Sequence, residues 1–224
     1  MNSLKIESLE YGALFSYTPR PLGTIDTMKK AKEYTMWLKQ DKMVSKGNSS
    51  SQMPMTRYVA EILSESYQSL PFSNFFDEET VLIPVPSSSI VQKDGLWVPE
   101  RLSREMMKMG MGYDVIPCLV REKAIRKSAW SGSSTRPSPQ EHYSSMSVSK
   151  SISDFRKAIL VDDVVTRGST FLGSANRLIE YFPKVDIKCF AAIRTVSNPS
   201  DFVNWFKPVK GQIDSSLNGA TRRP

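Results

Sequence analysis

An α/β fold built on a parallel sheet is predicted by three features of this 224-residue chain. Four short apolar runs, VLIPVP (81–86), YDVIPCLV (113–120), AILVDDVV (158–165) and VDIKCFAAIRTV (185–196), read as strands buried on both faces. Helical patterns alternate with them, VPERLSREMMKMG (98–110) and STFLGSANRLIEYF (169–182), as crossover connections between parallel strands require. The third feature is bulk: 40% of the residues are apolar, enough to bury a core and too many for a disordered chain.

Taken in order, residues 26–43 (DTMKKAKEYTMWLKQDKM) pattern as an amphipathic helix. Asp26 is its expected cap, and Met28, Ala31, Thr35 and Leu38 fall near one face. SKGNSSSQ at 45–52 is polar and rich in helix breakers, so it reads as a loop. A second helix is expected from Thr56 through Val59, Ile62, Leu63 and Ser66. Residues 1–78 therefore form an N-terminal helical region, and the α/β core spans 79–212. Pro99 suits the first turn of the helix at 98–110. Residues 121–153, rich in Ser, Arg and Pro without a core period, read as one long functional loop. The last residues, 213–224, read as a frayed tail.

Composition removes several classes. No apolar run approaches the roughly 20 residues that span a bilayer. The opening MNSLKIESLEYG carries acidic groups and lacks the apolar stretch of a signal peptide, so a cytoplasmic, membrane-free protein is expected. Cys118 and Cys189, the only two cysteines, sit in apolar runs; they read as reduced, buried thiols from which no zinc site can be built. The formal charge of +7 is spread over KKAK (29–32), REKAIRK (121–127) and the terminal TRRP. A cleft for a polyanionic small molecule accounts for it. Nucleic acid is a second reading, but no long basic run carries it.

The chemistry concentrates in Ala158–Thr170, AILVDDVVTRGST. Four apolar residues bring a strand to the carboxyl edge of the sheet, where ligands of open α/β folds bind. Asp162 and Asp163 follow, offering acceptors for vicinal hydroxyls or for water on Mg²⁺. Thr166, Arg167, Gly168, Ser169 and Thr170 then open a helix, presenting backbone N–H groups and hydroxyls suited to a phosphate monoester. Gly168 lets the backbone approach an anion closely. A nucleoside-triphosphatase reading would need G-x-x-x-x-G-K-[ST] upstream, and no glycine has that context. A receiver-type acidic pocket would follow the first strand and lack the Thr-rich turn, and a bare strand-edge Asp pair leaves that turn unexplained.

Ala158–Thr170 resembles, along its whole length, the phosphoribosyl pyrophosphate (PRPP) motif of type I phosphoribosyltransferases. Such a likeness implies that family's parallel-sheet, Rossmann-like core with the N-terminal helices as a hood. Lower-specificity likeness extends over about residues 80–196 and is nearest the competence-protein (ComF-like) branch, without that branch's four-cysteine zinc ribbon. The resemblance implies that Asp162 and Asp163 bind the ribose hydroxyls, directly or through metal-bound water, and that Thr166–Thr170 cradle the 5′-phosphate. Ser87, Ser88 and Ser89 fall where the family's pyrophosphate loop lies, with Arg101 and Arg104 on the helix beyond as additional positive charge. Residues 121–153 correspond to the family's mobile catalytic loop, with Arg126 and Lys127 as its leading cations, joined by Arg121, Lys123 and Ser128. His142, in RPSPQEHY, is expected to orient that loop or lie at the surface.

Thr166 stands where purine-salvage members carry an Asp, which argues against hypoxanthine or guanine as acceptor. Acceptor recognition is expected from the helices of 20–70, from the aromatic segment Phe202–Phe206 and from Trp97. The resemblance thus implies an Mg²⁺-dependent transferase moving ribose 5-phosphate from PRPP to a nitrogen acceptor, with homodimerisation expected by family likeness. Its alternative is a non-catalytic sensor of PRPP or a nucleotide that governs a protein or nucleic-acid partner.

Overall fold

The computed structural model of the chain describes residues 4–22, 25–47, 50–90, 95–125, 136–149, 154–216 and 219–224. Its centre is a seven-stranded sheet. Three of the expected strands are present as β4 (Thr80–Pro84), β8 (Lys157–Val165) and β9 (Asp186–Thr195); the run at 113–120 is broken, with only β5 (Asp114–Val115) in this sheet and Leu119–Arg121 pairing elsewhere. The helices between them are α3 (Val98–Lys108) and α5 (Ser169–Leu178). Pro99 lies in the first turn of α3, where its missing N–H costs nothing.

Two further parts of the sheet come from regions read otherwise. The N-terminal region is not wholly helical: β1 (Ser8–Tyr17) runs parallel to β9 inside the sheet. The expected tail is not frayed either. β10 (Phe206–Ser216) pairs antiparallel with β1, and β11 (Gly219–Arg223) closes a hairpin on β10 at the sheet edge. The strand order is β11-β10-β1-β9-β8-β4-β5, parallel from β1 to β5. Both differences have one cause, since β1 finds its neighbours about 180 to 200 residues downstream in the chain and no local pattern reports such pairing.

Helices cover both faces. On one, α1 (Asp26–Lys39), α2 (Met55–Ser66) and α3 bury Leu38, Val59, Leu63, Leu102 and Met106 against Phe15, Phe72, Ile159 and Phe190. The four expected residues of α1, Met28, Ala31, Thr35 and Leu38, are its buried ones. Asp26 is not the cap; Ile25 occupies that position without a side-chain bond. Gly12 admits the Phe72 ring against β1, because a Cβ there would lie 2.5 Å from it. Short strands β2 (Met43–Ser45) and β3 (Gln52–Pro54) join α1 to α2.

On the other face lie α5, α4 (Pro139–Ser144) and a small hairpin of β6 (Leu119–Arg121) with β7 (Met146–Val148). Part of the segment expected as one long loop is therefore ordered structure. Ser138 caps α4 through a capping box: its hydroxyl accepts the Glu141 N–H at 3.2 Å, and the Glu141 carboxylate accepts the Ser138 N–H at 2.8 Å. In the aromatic segment at 202–206, Phe202 and Trp205 pack against the core, while Phe206 is exposed. Trp205 stacks on Phe15 with ring centroids 4.5 Å apart, and Phe202 is buried with Met28, Ala31 and Val196. No helix among the described residues is long and apolar enough to cross a membrane.

Candidate functional site

Asp162 and Asp163 lie toward the carboxyl end of β8, which runs to Val165, and the chain then turns through Thr166–Gly168 into α5. Gly168 takes φ +92°, a left-handed conformation that an L side chain rarely adopts. A Cβ at Gly168 would also lie 2.5 Å from the Ile213 side chain of β10. The turn is thus seated directly on the C-terminal hairpin. No side chain caps α5, which leaves the amides of its first turn available to an anion.

A small open cleft lies over this turn. Asp162, Thr166, Arg167, Gly168, Ser169 and Thr170 all line it, so the structure brings most of the expected phosphate and diol residues together. Arg136, Pro137 and His142 close it from the α4 side. The Asp162 carboxylate accepts the Asp163 N–H at 2.9 Å, and the Asp163 carboxylate accepts the Val164 N–H at 2.8 Å. Burial, together with the neighbouring Asp163 charge, raises the Asp162 carboxyl well above the ordinary carboxylate range. Such a pair gains from a bound cation or from hydroxyl donors that relieve its repulsion.

Ser87–Ser89 follow β4, the strand next to β8, and so reach the same edge of the sheet. Their backbone is held from below by Arg121, which is buried rather than mobile. Its guanidinium donates to Ser87 O at 2.9 Å, to Pro86 O at 3.3 Å, to His142 O at 3.5 Å and to the Ser145 hydroxyl. The Ile125 N–H adds a bond to Ser88 O at 2.9 Å. Burial lowers the Arg121 pKa to about 10, opposed by the Asp162 charge, so Arg121 stays a cation that links the serine loop to α4.

Other expected residues lie elsewhere. Arg101 pairs with Asp41 at 3.1 Å and Arg104 with Glu100 at 2.6 Å, so these two arginines are engaged on the face of α3 toward α1 and solvent. The Trp97 indole donates to Val85 O at 2.8 Å and serves the backbone. Cys118 and Cys189 are both free and buried, as expected, and burial pushes the Cys118 thiol up to about 12. Arg126, Lys127 and Ser128 lie outside the described residues.

His142 is neither on the surface nor on an open loop. It is buried, with its Nε2 3.5 Å from the Thr170 hydroxyl and its Nδ1 sealed from water without a hydrogen-bond partner. Burial and the Arg121 charge lower its pKa to about 3, which keeps the imidazole neutral. Arg136 was missed altogether. Its Nε is buried without a hydrogen-bond partner among the described residues, and burial together with nearby Arg167 and Arg20 depresses its pKa. The readable signal was the S-P-Q-E capping box at 138–141, which marks a helix start and so orders the arginine two residues before it.

No protein-family model and no curated protein matches the chain. Solved structures similar to it include a hypoxanthine phosphoribosyltransferase from Staphylococcus aureus, at 10% identity and a TM-score of 0.33 over 66% of this chain and 68% of that one. An adenine phosphoribosyltransferase from Leishmania donovani is 12% identical, with a TM-score of 0.32 over 76% of this chain and 86% of that one. The adenine phosphoribosyl transferase from Trypanosoma brucei, solved in complex with AMP, pyrophosphate and ribose-5-phosphate, is 12% identical. Its TM-score is 0.35 over 73% of this chain and 78% of that one. Likenesses this remote assign no residue and no activity.

Proposed function

We propose that the chain is a phosphoribosyltransferase of the type I fold, which binds PRPP with Mg²⁺ and transfers ribose 5-phosphate to a nitrogen nucleophile with release of pyrophosphate. One observation carries this reading: Asp162 and the turn Thr166–Thr170 line a single cleft at the carboxyl edge of a parallel sheet. The amides and hydroxyls of the turn take the 5′-phosphate, with Arg136 and Arg167 beside it. Asp162 and Asp163 take the ribose hydroxyls. Ser87–Ser89, one strand away, take the pyrophosphate, and Arg121 holds that loop in place.

Two adjacent carboxylates fit Mg²⁺ bound through water. No group of three or more acidic, His or Cys side chains gathers among the described residues, and Mg²⁺ ordinarily takes one or two protein carboxylates and completes its shell with water and phosphate oxygens. When bound, the ion neutralises charge on the departing pyrophosphate. The protein's own part is to hold C1 of the ribose between donor phosphates and acceptor, and to keep water from an oxocarbenium-like centre. Arg126 and Lys127 are proposed to bring further positive charge to the pyrophosphate. At Thr166 the side chain is a hydroxyl, 3.3 Å from that of Thr195, which disfavours an oxopurine acceptor.

The test is pyrophosphate release from PRPP and Mg²⁺ in the presence of a pool of bases and amines. Release that depends on one pool member supports the transferase. Tight PRPP binding without release under any acceptor favours the sensor instead. Should Asp162→Asn combined with Asp163→Asn bind PRPP as tightly as the parent, the site assignment is wrong.

A further inference from the structure

We propose that the C-terminal hairpin is a component of the phosphate site, with Arg222 as the positioning residue that aims the turn's amides at the anion; this rests on the phosphate-binding reading above. The Arg222 guanidinium lies behind the turn. Its Nε donates to the carbonyl of Thr166 at 3.0 Å, one terminal nitrogen to the Tyr11 hydroxyl at 2.6 Å, and the other to the carbonyl of Thr195 at 2.5 Å. No described hairpin residue lines the cleft, so the Thr166 carbonyl is held on the side facing away from it.

A trans peptide is planar, with its C=O and N–H pointing in opposite directions. Capturing the Thr166 carbonyl from behind therefore turns the Arg167 N–H, in the same peptide, toward the cleft. A phosphate turn works only if its amides converge, and a peptide with no bond to its carbonyl can rotate its N–H away. The next residue but one after Thr166, Gly168 at φ +92°, is itself seated on Ile213 of the hairpin, so the hairpin holds the turn at two points. Arg222 also makes no ion pair with a carboxylate among the described residues; its acceptors are two carbonyls and a phenol. Its charge thus adds to the positive potential behind the anion.

The orientation role and the charge role separate in two variants. Arg222→Lys keeps the charge and loses the planar fork that reaches three acceptors; Arg222→Gln loses both. The probe is ribose 5-phosphate, followed by calorimetry and by the amide cross-peak of Arg167. In the parent, binding is expected to move that cross-peak. In both variants affinity falls by about tenfold or more, as expected for losing a hydrogen bond to a charged group, and the Arg167 cross-peak no longer responds. Parental affinity in Arg222→Lys overturns the positioning role, as does parental affinity in both variants.

If neither variant folds, Tyr11→Phe decides, since it removes one acceptor and keeps the buried ring; unchanged affinity there overturns the proposal. A parent that binds no ribose 5-phosphate sinks this inference together with the proposed function. A parent that binds while the variants match it sinks the inference alone.

Discussion

Gly173 on α5 and His142 on α4 touch so closely that a Cβ built on Gly173 would lie 2.5 Å from the His142 Cβ. It would also meet the Pro139 carbonyl and the Tyr143 nitrogen at 2.8 Å. Backbone cannot retreat as a side-chain tip can. Only glycine lets α4 sit down on α5, and α4 carries one wall of the cleft.

Gly173→Ala is accordingly expected to destabilise the protein by about 1–3 kcal/mol, the usual cost of overpacking. At this chain length each kcal/mol lowers Tm by about 2–4 °C. Displacing α4 also moves His142 and Arg136, so affinity for ribose 5-phosphate should fall with it. Thermal unfolding and calorimetry read both effects. An unchanged Tm would mean that the two helices do not pack this way.

Asp162→Asn should separate stability from function. Burial and the Asp163 charge disfavour the ionised Asp162 carboxyl, so a neutral amide of the same shape removes that cost. Tm without ligand is expected to rise, by about 2–4 °C for each kcal/mol relieved, while PRPP affinity collapses. A fall in both would point to a structural carboxylate rather than a binding one. The raised pKa also means that ligand binding, which needs the ionised form, should strengthen as pH rises through that raised pKa.

His142 predicts a slope in stability with pH. The folded protein holds it neutral down to about 3, while the unfolded chain protonates it near its ordinary value of about 6.5. Between those limits the unfolded state binds more protons, so stability is full above about pH 6.5 and is lost as pH falls toward 3, by up to about 1.4 kcal/mol per pH unit. Denaturant unfolding at pH 7.0 and 5.5 should show the loss in the parent and a smaller one in His142→Gln. Equal losses would place His142 in water rather than in the core.

Arg121→Met tests the support of the serine loop. It leaves the carbonyls of Pro86 and Ser87 without the Arg121 donor they have now, and stranding buried acceptors costs about 1–3 kcal/mol each. Pyrophosphate affinity is expected to drop more than ribose 5-phosphate affinity, because Arg121 touches the serine loop directly and the phosphate turn only through α4. Equal losses for both ligands would show that Arg121 merely stabilises the fold.

The sequence by itself determined what rests on short-range pattern. The strands β4, β8 and β9, the helices α1, α2, α3 and α5, and the run from Asp162 to Thr170 were all readable, because apolar periodicity and turn chemistry act within a few residues. Tertiary structure decided the rest. Strand β1 and the β10–β11 hairpin exist as sheet because they pair with each other and with β9 across most of the chain length. The same pairing brings Arg222 behind Thr166, 56 residues before it in sequence, and turns an apparent tail into part of the site. Arg121 and His142 looked like loop residues because their neighbours are polar; they are buried because α4 folds onto Gly173. Long-range closure costs chain entropy that local sequence cannot report, and the partners that repay it are visible only once the chain has closed.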